Sequence, residues 1–429
     1  MKKIGMILLL CFLLSGCERL KDTEKQEESK EETVVLEFYT WMDEKNYMSQ
    51  AIAAFMEKYP EIRVQLHLIP SSEYAQTISI LHNTDDRGID LFAESKPSAS
   101  AADVKRGFVS EIKDGMDELE NDSQYMEMVK SLEMDGKRYM IPYRKSTWNV
   151  YYNKDIFDCA GVEYPTQDWT WEDYTRIARE LTKIDGEKPI YGSMSYEAGS
   201  LWWRTPVRTL GMENSMTIEM LKELKQVAKW NYQMAYEWEA QPVFTELTDV
   251  NSFDYVARFL DGNIGMFYCG DWSMEMIDRQ IEESGMEFSY DIAPLPGPLD
   301  GQRYMPVTPA VLQISTKSKH QEEAFLLAQF LAGREGAKIL AENGIIPAYD
   351  TEETRKILRN RPNAPEHVDY FWEYDKAVYT FPNEEMEEAL SVVNRYVGQY
   401  FLREIGLDEA FENIKNTLVE RGLIGDDEE

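Results

Sequence analysis

The spacing of apolar residues near the start of the chain predicts strands and helices in turn. Thr33–Tyr39 is rich in strand-forming residues, and Ile62–Ile69 alternates apolar and polar positions as a half-buried strand does. Between them, Met48–Lys58 repeats apolar residues at the three- and four-residue steps of a helix. A second helix, Ser72–His82, leads to a short buried strand, Ile89–Phe92. This order predicts a mostly parallel sheet with right-handed crossovers.

The later part of the chain carries further segments of both kinds. Short apolar runs predict strands at Tyr139–Pro142, Asn149–Tyr152, Ile264–Cys269, Ile292–Leu295 and Ala310–Ile314. Helical spacing predicts helices at Asp168–Thr182, Met216–Trp238, Asp271–Ser284, Glu322–Ala332, Arg334–Glu342, Met386–Phe401 and Leu407–Arg421. No repeat and no Pro-, Gly- or Ser-rich linker divides these segments, so the sequence predicts lobes built from interleaved pieces.

The first 17 residues have the pattern of an export signal. Lys2 and Lys3 precede an apolar run, Ile4–Leu14, which is shorter than the roughly 20 residues of a membrane span. The run ends in Leu-Ser-Gly-Cys, which matches the bacterial lipobox. That resemblance implies cleavage before Cys17 and lipid on its thiol and new amine. We therefore expect a protein outside the cytoplasm, anchored to the cell membrane by an N-terminal lipid.

Charge limits the partners of the chain. Eleven of the fifteen residues in Glu18–Glu32 are charged, which predicts a disordered tether over residues 17–32. The whole chain has a formal charge of -33, and removal of Lys2 and Lys3 with the signal would make it -35. Such a field repels phosphate backbones and anionic lipid heads. We expect no nucleic-acid partner, and contact with the membrane only through the lipid.

Cysteine and histidine are too few to predict a metal site or a disulfide framework. After loss of Cys11 with the signal and lipidation of Cys17, Cys159 and Cys269 remain, and their pairing stays open. The four histidines show no metal-ligand spacing. The sequence predicts no cofactor, no metal and no catalytic motif: a Walker loop, a G-x-S-x-G elbow and a His-Glu-x-x-His helix are all missing.

Five segments in sequence resemble one known family. Asp135–Gly161 reads DGKRYMIPYRKSTWNVYYNKDIFDCAG, and Trp169–Tyr174 reads WTWEDY. Gly262–Trp272 reads GNIGMFYCGDW, and shorter matches are APLPG at Ala293–Gly297 and IIPA at Ile345–Ala348. Together they resemble extracellular solute-binding protein family 1, the maltose-binding-protein-like group. The chain departs from that pattern at Gly265 and Cys159. Ser146 stands where maltose-type proteins have an acidic sugar ligand, which argues against maltose itself.

The resemblance implies an α/β fold of the periplasmic-binding-protein type. Two lobes, each a mostly parallel sheet flanked by helices, are joined by crossing hinge segments. We expect a signal over residues 1–16, an N-terminal lobe of residues 33–147 plus 293–335, and a C-terminal lobe of residues 148–292 plus 336–429. The family implies a monomer that binds a carbohydrate between the lobes and delivers it to the permease subunits of an ABC importer.

Candidate ligand residues follow strand ends or the family signature. Ligands of open α/β sheets bind beyond the carboxyl ends of strands, which points to Trp41, Asp43 and Glu94. Their alternatives are a packed loop tryptophan, a helix cap and a surface acid. Trp272 matches the family's G-x-W tryptophan, and Asp271 either caps the following helix or touches the ligand.

Further candidates lie in the variable loop and in aromatic clusters. Arg144, Ser146 and Trp148 lie between two predicted strands, where Arg144 either binds ligand or forms an interlobe ion pair. Of the adjacent Trp202 and Trp203, one is expected to pack inside while the other stacks on the ligand. Trp372 lines the cleft or belongs to a core patch. Aromatic rings with planar polar groups suit the apolar faces and hydroxyl rims of sugars.

Three function classes fit these residues. The first is the receptor, which is not an enzyme. The second is a secreted glycoside hydrolase, because tryptophans and carboxylates also build such sites, although no motif identifies the required carboxylate pair. The third is a glycan-binding surface adhesin, which needs no closing cleft. The sequence leaves the sugar unidentified: an oligosaccharide is favoured for its several available rings, while a polyol or a glycerophosphodiester stays open.

Overall fold

The computed structural model describes residues 33–84, 88–113, 115–184, 188–195, 202, 204–209, 216–247, 255–298, 302–379 and 383–425. The predicted signal, the tether with Cys17, and Trp203 lie outside the described residues. None of the helices in the described part combines the length and the apolar character that a membrane span requires.

The described strands form two sheets, and the helices pack around them. The strands are β1 (Val34–Trp41), β2 (Ile62–Ile69), β3 (Leu91–Glu94), β4 (Ile141–Ser146), β5 (Trp148–Asn153), β6 (Tyr191–Ser195), β7 (Ile264–Gly270), β8 (Tyr290–Pro294), β9 (Tyr304–Ile314) and β10 (Lys376–Tyr379). The helices are α1 (Lys45–Lys58), α2 (Tyr74–Asn83), α3 (Pro97–Lys105), α4 (Ser123–Ser131), α5 (Lys154–Ala160), α6 (Trp171–Leu181), α7 (Arg204–Arg208), α8 (Ile218–Tyr232), α9 (Phe244–Leu247), α10 (Tyr255–Leu260), α11 (Trp272–Ser284), α12 (Gln321–Ala332), α13 (Arg334–Glu342), α14 (Glu352–Arg359), α15 (Glu384–Phe401) and α16 (Leu407–Glu420).

The first sheet has the order β10-β9-β3-β1-β2, and β4 also pairs with β9. β1 is parallel to both β2 and β3, as the alternation of strands and helices predicts. Its alternate residues Leu36 and Phe38 are fully buried, and they join Phe55 of α1 and Leu312 of β9 in one core, here called the first core. The carboxyl ends of β1 and β3 lie side by side, because Tyr39 pairs with Phe92.

The second sheet has the order β6-β7-β5-β8 and differs from the expected mostly parallel pattern. β6 is parallel to β7, but β5 is antiparallel to both β7 and β8. β5 follows β4 after one residue, so it enters this sheet from the junction rather than through a helical crossover. Cys269 on β7 is buried and Cys159 is exposed, and no disulfide joins these two cysteines. The core around this sheet is here called the second core.

The continuous segment β4–β5 and the long strand β9 connect the cores. Thr147, which is fully buried, separates β4 in the first sheet from β5 in the second. β9 runs through both cores: Met305 and Val307 pack in the second core, and Leu312 and Ile314 pack in the first. The two lobes are therefore joined by continuous strands, which positions the residues next to them at the interlobe junction.

The packing differs from the predicted lobe boundary after residue 335. Ala337 and Leu340 of α13, with Ile345 and Tyr349 beyond it, belong to the first core, because the amphipathic face of α13 packs against α1 and α12. A separate helical core, here called the third core, is formed by α8, α15 and α16. The prediction gave each lobe two segments of the chain. The observed packing divides the residues after 335 between both lobes, so the chain crosses between the lobes more often than predicted.

Candidate functional site

The start of α11 is attached to the strand that crosses between the lobes. The backbone N–H of Asp271 donates to the carbonyl oxygen of Thr147 at 3.0 Å. Trp148 pairs with Gly270 in the antiparallel register of β5 and β7. The predicted residues Ser146, Trp148, Asp271 and Trp272 consequently come together at the interlobe junction.

Trp272 lies between the two lobes. Its half-buried ring packs against both the first and the second core. It meets the ring of buried Trp148 edge to face at 5.3 Å, and its Nε1 donates to the hydroxyl of Tyr255 at 3.0 Å. A Cβ on Gly270 would lie 1.9 Å from the Trp272 ring, so this glycine allows the ring to cover the strand end. Trp148 is fully covered and supports Trp272 from behind.

Asp271 does not use its side chain to cap α11, although it occupies the N-cap position. Its Oδ2 instead accepts the backbone N–H of Ile346 at 3.0 Å, because the loop after α13 lies against the junction. Burial, only partly offset by the Arg144 guanidinium, raises the pKa of Asp271 to about 6. A buried carboxyl with this pKa can gain or lose a proton near neutral pH.

Several residues at the junction of β4, β5 and α11 have buried polar atoms without a protein partner. Within the described part of the chain, Asp271 Oδ1, Thr147 Oγ1, Ser273 Oγ and both side-chain atoms of Asn149 accept or donate no hydrogen bond. Such groups are rare in folded proteins, and several together mark a place where water or a ligand supplies the bonds. The junction therefore offers unmet hydrogen-bonding capacity next to the Trp272 ring.

Arg144 is held by an acid that the sequence did not single out. Its Nε donates to Oε1 of Glu44 at 3.0 Å, and the hydroxyl of Tyr143 donates to the same oxygen at 2.6 Å. Glu44 is only 2% exposed. Burial alone would lower the pKa of Arg144, but the neighbouring tyrosines and the carboxylates of Glu44 and Asp271 raise it overall. The guanidinium stays charged and fixed at the junction.

The other missed residues form a hydrogen bond between the lobes. Asn46 Nδ2, on α1, donates to Oε1 of Glu275, on α11, at 3.2 Å. Burial raises the pKa of Glu275, and the nearby Arg279 and the bond from Asn46 offset only part of this shift. Glu44 could have been considered from the sequence, because it directly follows Asp43. The contact between Asn46 and Glu275 could not, because neither sequence spacing nor composition identifies a partner 229 positions away.

The predicted residues of the first lobe lie at one edge of the first sheet. Trp41 packs on the Tyr74 ring at 4.8 Å, and Tyr74 in turn donates to the carbonyl oxygen of Ala93 at 2.6 Å. Asp43 is exposed and accepts from Ser71 Oγ at 2.8 Å. Glu94 ends β3, next to Ala93. The structure thus brings Trp41, Asp43 and Glu94 to the carboxyl edge of β1 and β3.

Glu94 is a buried carboxyl rather than a surface acid. It is 8% exposed, and its Oε1 accepts the backbone N–H groups of Ser95 at 2.8 Å and Lys96 at 2.9 Å. Burial outweighs these bonds and raises the pKa of Glu94 to about 7. At neutral pH this side chain can therefore donate a hydrogen bond as well as accept one.

We expect Glu94→Gln to stabilise the protein above neutral pH. The pKa of Glu94 is raised to about 7 in the folded state, whereas it is near 4 in the unfolded chain. Glu94 therefore makes its full contribution to the free energy of unfolding below about pH 4, and that contribution is lost as pH rises through about 7. The variant should exceed the parent by about 1–3 kcal/mol at pH 8 and lose that advantage at pH 4.5. Urea unfolding at both pH values measures this, with exposed Asp43→Asn as control. An equal difference at both pH values would contradict it.

Of the remaining candidates, Trp202 is buried and Trp372 is half-buried. Trp202 is 1% exposed in the third core, meets Phe401 edge to face at 5.7 Å, and donates from Nε1 to Asn394 Oδ1 at 3.2 Å. Trp372 lies within 5.5 Å of both the Arg355 and the Arg359 guanidinium groups. The Trp202 ring is closed off from solvent, and the Trp372 ring packs with the second core alone, whereas Trp272 contacts both cores, so neither is retained in the proposed ligand site. Trp203 lies outside the described residues.

One cluster has residue types that can hold a metal ion. Ligand atoms of Asp291, Glu366 and His367 lie within 4.8 Å of one another. The oxygens of Asp291, however, already accept the backbone N–H and Nδ1 of His367, at 3.1 and 2.7 Å, and the hydroxyl of Tyr152 at 3.3 Å. These donors satisfy the carboxylate, so hydrogen bonds explain why the residues of this cluster lie together.

The model of one protein family matches residues 40–338, and its description is bacterial extracellular solute-binding protein. The chain belongs to this family. Its members are solute-binding proteins rather than enzymes, and they work outside the cytoplasm. The family and the fold class predicted from the sequence are therefore confirmed, whereas the individual ligand residues stay predictions.

Known relatives agree with this assignment. A putative binding protein of Brucella abortus is 26% identical over 227 residues, which is 51% of this chain and 53% of the relative. The chain thus spans about half the length of the curated relatives it matches. A sugar transporter of Rhizobium etli, solved in an open conformation, is 25% identical with a TM-score of 0.73, covering 89% of this chain and 98% of the other.

A second solved structure supports the fold alone. An ABC substrate-binding protein of Listeria monocytogenes, in complex with cycloalternan, has a TM-score of 0.77 at 20% identity, covering 91% of this chain and 99% of the other. This likeness, over nearly the full length of both chains, agrees with the two sheets and their connecting strands.

Proposed function

We propose that this solute-binding protein is a lipid-anchored receptor that binds an oligosaccharide between its lobes and delivers it to an ABC importer. The interlobe junction is the observation that carries the proposal. Trp272 contacts both cores, and buried polar atoms without a protein partner belong to Asp271 and Ser273 on either side of it in the chain and to Thr147 and Asn149 of the crossing strand. A sugar matches this combination, because it offers flat C–H faces to a ring and hydroxyl groups to polar atoms.

The two lobes supply different parts of the site. Trp41, Asp43 and Glu94 contribute a ring and two carboxyl groups from the first lobe, and Trp272 contributes a ring from the second. Rings on both lobes suit successive sugar units, which is why an oligosaccharide is favoured over a polyol. Closure of the lobes brings the residues of the first lobe and Trp272 together around the solute. Hydrogen bonds between the lobes, such as that between Asn46 and Glu275, stabilise the closed form.

The anchor gives the receptor its place in transport. In this proposal Cys17 carries lipid, and the charged segment Glu18–Glu32 is a leash with a root-mean-square reach of roughly 20–25 Å. A monomer on such a leash stays at high effective concentration beside a permease in the same membrane. The related sugar transporter of Rhizobium etli supports the choice of a sugar importer as partner.

No bond of the solute is broken in this proposal. A glycosidase needs two carboxyl groups on either side of the scissile bond, free to donate and accept protons. Glu44 accepts hydrogen bonds from Arg144 and Tyr143. One oxygen of Asp271 accepts the backbone N–H of Ile346. These contacts favour binding over hydrolysis. They also favour a closing receptor over an adhesin, because the polar groups are buried at a junction rather than displayed on a surface.

We expect one neutral oligosaccharide in a carbohydrate library to raise the thermal unfolding midpoint. At a ligand concentration of 100 times Kd, the folded state gains about 2.7 kcal/mol, because only that state binds. Small-angle scattering should then show a smaller radius of gyration with this sugar, since the lobes close on it. Release of shorter sugars, followed by chromatography of the same mixture, would instead identify a hydrolase.

A further inference from the structure

A wide groove lies on the second lobe, away from the interlobe junction. It runs between α6 and the end of α8 and has a volume of about 870 Å³. Three tryptophans line it: Trp171, Trp230 and Trp238. None of the residues of the junction described above takes part in this groove. Its size falls in the range of roughly 300–1,000 Å³ that small-molecule sites occupy.

Two of these tryptophans are fixed from behind. Trp171 donates from Nε1 to Thr209 Oγ1 at 3.0 Å, and Trp230 donates from Nε1 to Thr175 Oγ1 at 2.9 Å. Their rings meet edge to face at 5.4 Å. Because the Nε1 of each indole is already hydrogen-bonded to a threonine, its half-buried ring presents apolar surface in a fixed orientation. Such preorganised rings lose little entropy when a ligand stacks on them.

The third tryptophan is positioned by an unusual turn. α8 continues into a π-helical turn, Gln233–Glu237, and Trp238 follows it directly. π-helical turns are rare and often mark functional sites. The Arg179 guanidinium lies 5.2 Å from the centre of the Trp238 ring. The turn thus brings Trp238 to the same groove as the first two rings.

Charged groups along the groove nearly cancel, unlike those of the chain as a whole. Arg176 and Arg179 stand with Glu172, Glu180 and Glu237, whereas the chain carries -33. Arg176 already pairs with Glu180 at 3.2 Å. A charged ligand would be repelled by either the arginines or the glutamates. An apolar ligand would bury these charged groups without giving them hydrogen bonds, which costs free energy. A neutral ligand with many hydroxyl groups satisfies them and still covers the rings.

We propose that this groove is a second binding site, which takes a neutral carbohydrate chain on its surface. Sugar rings stack on the tryptophans while their hydroxyl groups bond to the arginines and glutamates. The groove is independent of the interlobe site, and it holds a polysaccharide strand near the receptor rather than a solute for delivery.

Affinity electrophoresis tests this site with three neutral probes: soluble starch, hydroxyethyl cellulose and xylan free of glucuronic acid. The test uses the mature protein carrying Trp272→Ala, which removes the proposed interlobe contact. We expect at least one polysaccharide to retard this variant. Adding Trp238→Ala, or in a separate variant Trp230→Ala, should weaken the apparent association constant about three- to tenfold through loss of a stacking ring.

A matched control is Tyr396→Ala in the same background. Arg395 covers the Tyr396 ring at 4.4 Å, so this change removes a similar ring–cation pair from α15, outside the groove, and should leave retardation unchanged. Near-UV circular dichroism checks that each variant is folded. The proposal is overturned if none of the three polysaccharides retards the Trp272→Ala protein, or if both folded groove variants are retarded as strongly as it is. Neither result bears on binding between the lobes.

Discussion

Asp350→Ala is expected to lower the free energy of unfolding by about 3–5 kcal/mol, because it leaves a buried cation without its partner. Lys145 and Asp350 are both nearly inaccessible, and Nζ of Lys145 lies 2.9 Å from Oδ2 of Asp350. Arg355 completes the group, with Nε 2.9 Å from Oδ1. Burial alone would raise the pKa of Asp350, but Lys145 and Arg355 lower it overall. Urea unfolding at pH 7 measures the loss.

The direction of this pKa shift sets the pH dependence. A carboxyl group whose pKa is lower in the folded state stabilises the protein above its unfolded-state pKa. That stability is lost as pH falls through its folded-state pKa. The gap between parent and variant should therefore persist at pH 7 and shrink below about pH 4. Glu388→Ala breaks an exposed pair with Arg421 and should cost less than about 1 kcal/mol.

A double substitution separates charge burial from lost packing. Lys145→Met combined with Asp350→Ala should recover much of the loss, because no uncompensated buried ammonium remains and Arg355 is partly exposed to water. If Asp350→Ala costs no more than Glu388→Ala, the buried pair is not the stabilising feature described here.

The sequence predicted those strands whose pattern of apolar residues can be recognised within a few neighbouring positions. Val34–Trp41, Ile62–Ile69 and Leu91–Glu94 appear within two residues of the predicted strands, because alternation and short apolar runs depend only on neighbouring residues. β6 and β10 were not predicted. β10, Lys376–Tyr379, pairs with the first half of β9, more than 70 residues earlier, and its four residues are too short a run to predict a strand by themselves. Long-range pairing of this kind is decided by tertiary contacts.

The site was predictable at strand ends and in the family signature, but not across the junction. Trp272 and Asp271 follow β7 as expected, since Gly270 and the G-x-W pattern mark that turn. The sequence pointed to Asp43 and not to its neighbour, yet Glu44 is buried and Asp43 is exposed. The reason is the tight helical turn Met42–Glu44, whose three residues per turn separate adjacent side chains by a third of a circle.

Trp272→Ala should weaken binding of the cognate oligosaccharide about tenfold or more. The change removes the ring that contacts both lobes, and loss of one stacking ring with its buried area costs roughly 1.4 kcal/mol or more. Isothermal titration calorimetry with the sugar found in the library screen measures the affinity. Trp272→Phe retains an aromatic plate and should lose less, although it cannot bond to Tyr255.

Gly270→Ala tests the same ring without removing it. Because a Cβ at position 270 would lie 1.9 Å from the Trp272 ring, the ring must move away from the junction, and affinity should fall toward that of Trp272→Ala. Tyr396→Ala, far from the junction, should bind as the parent does. Should Trp272→Ala and Gly270→Ala both fold and keep the parent's affinity, the solute does not bind against Trp272, and the interlobe site must be placed elsewhere.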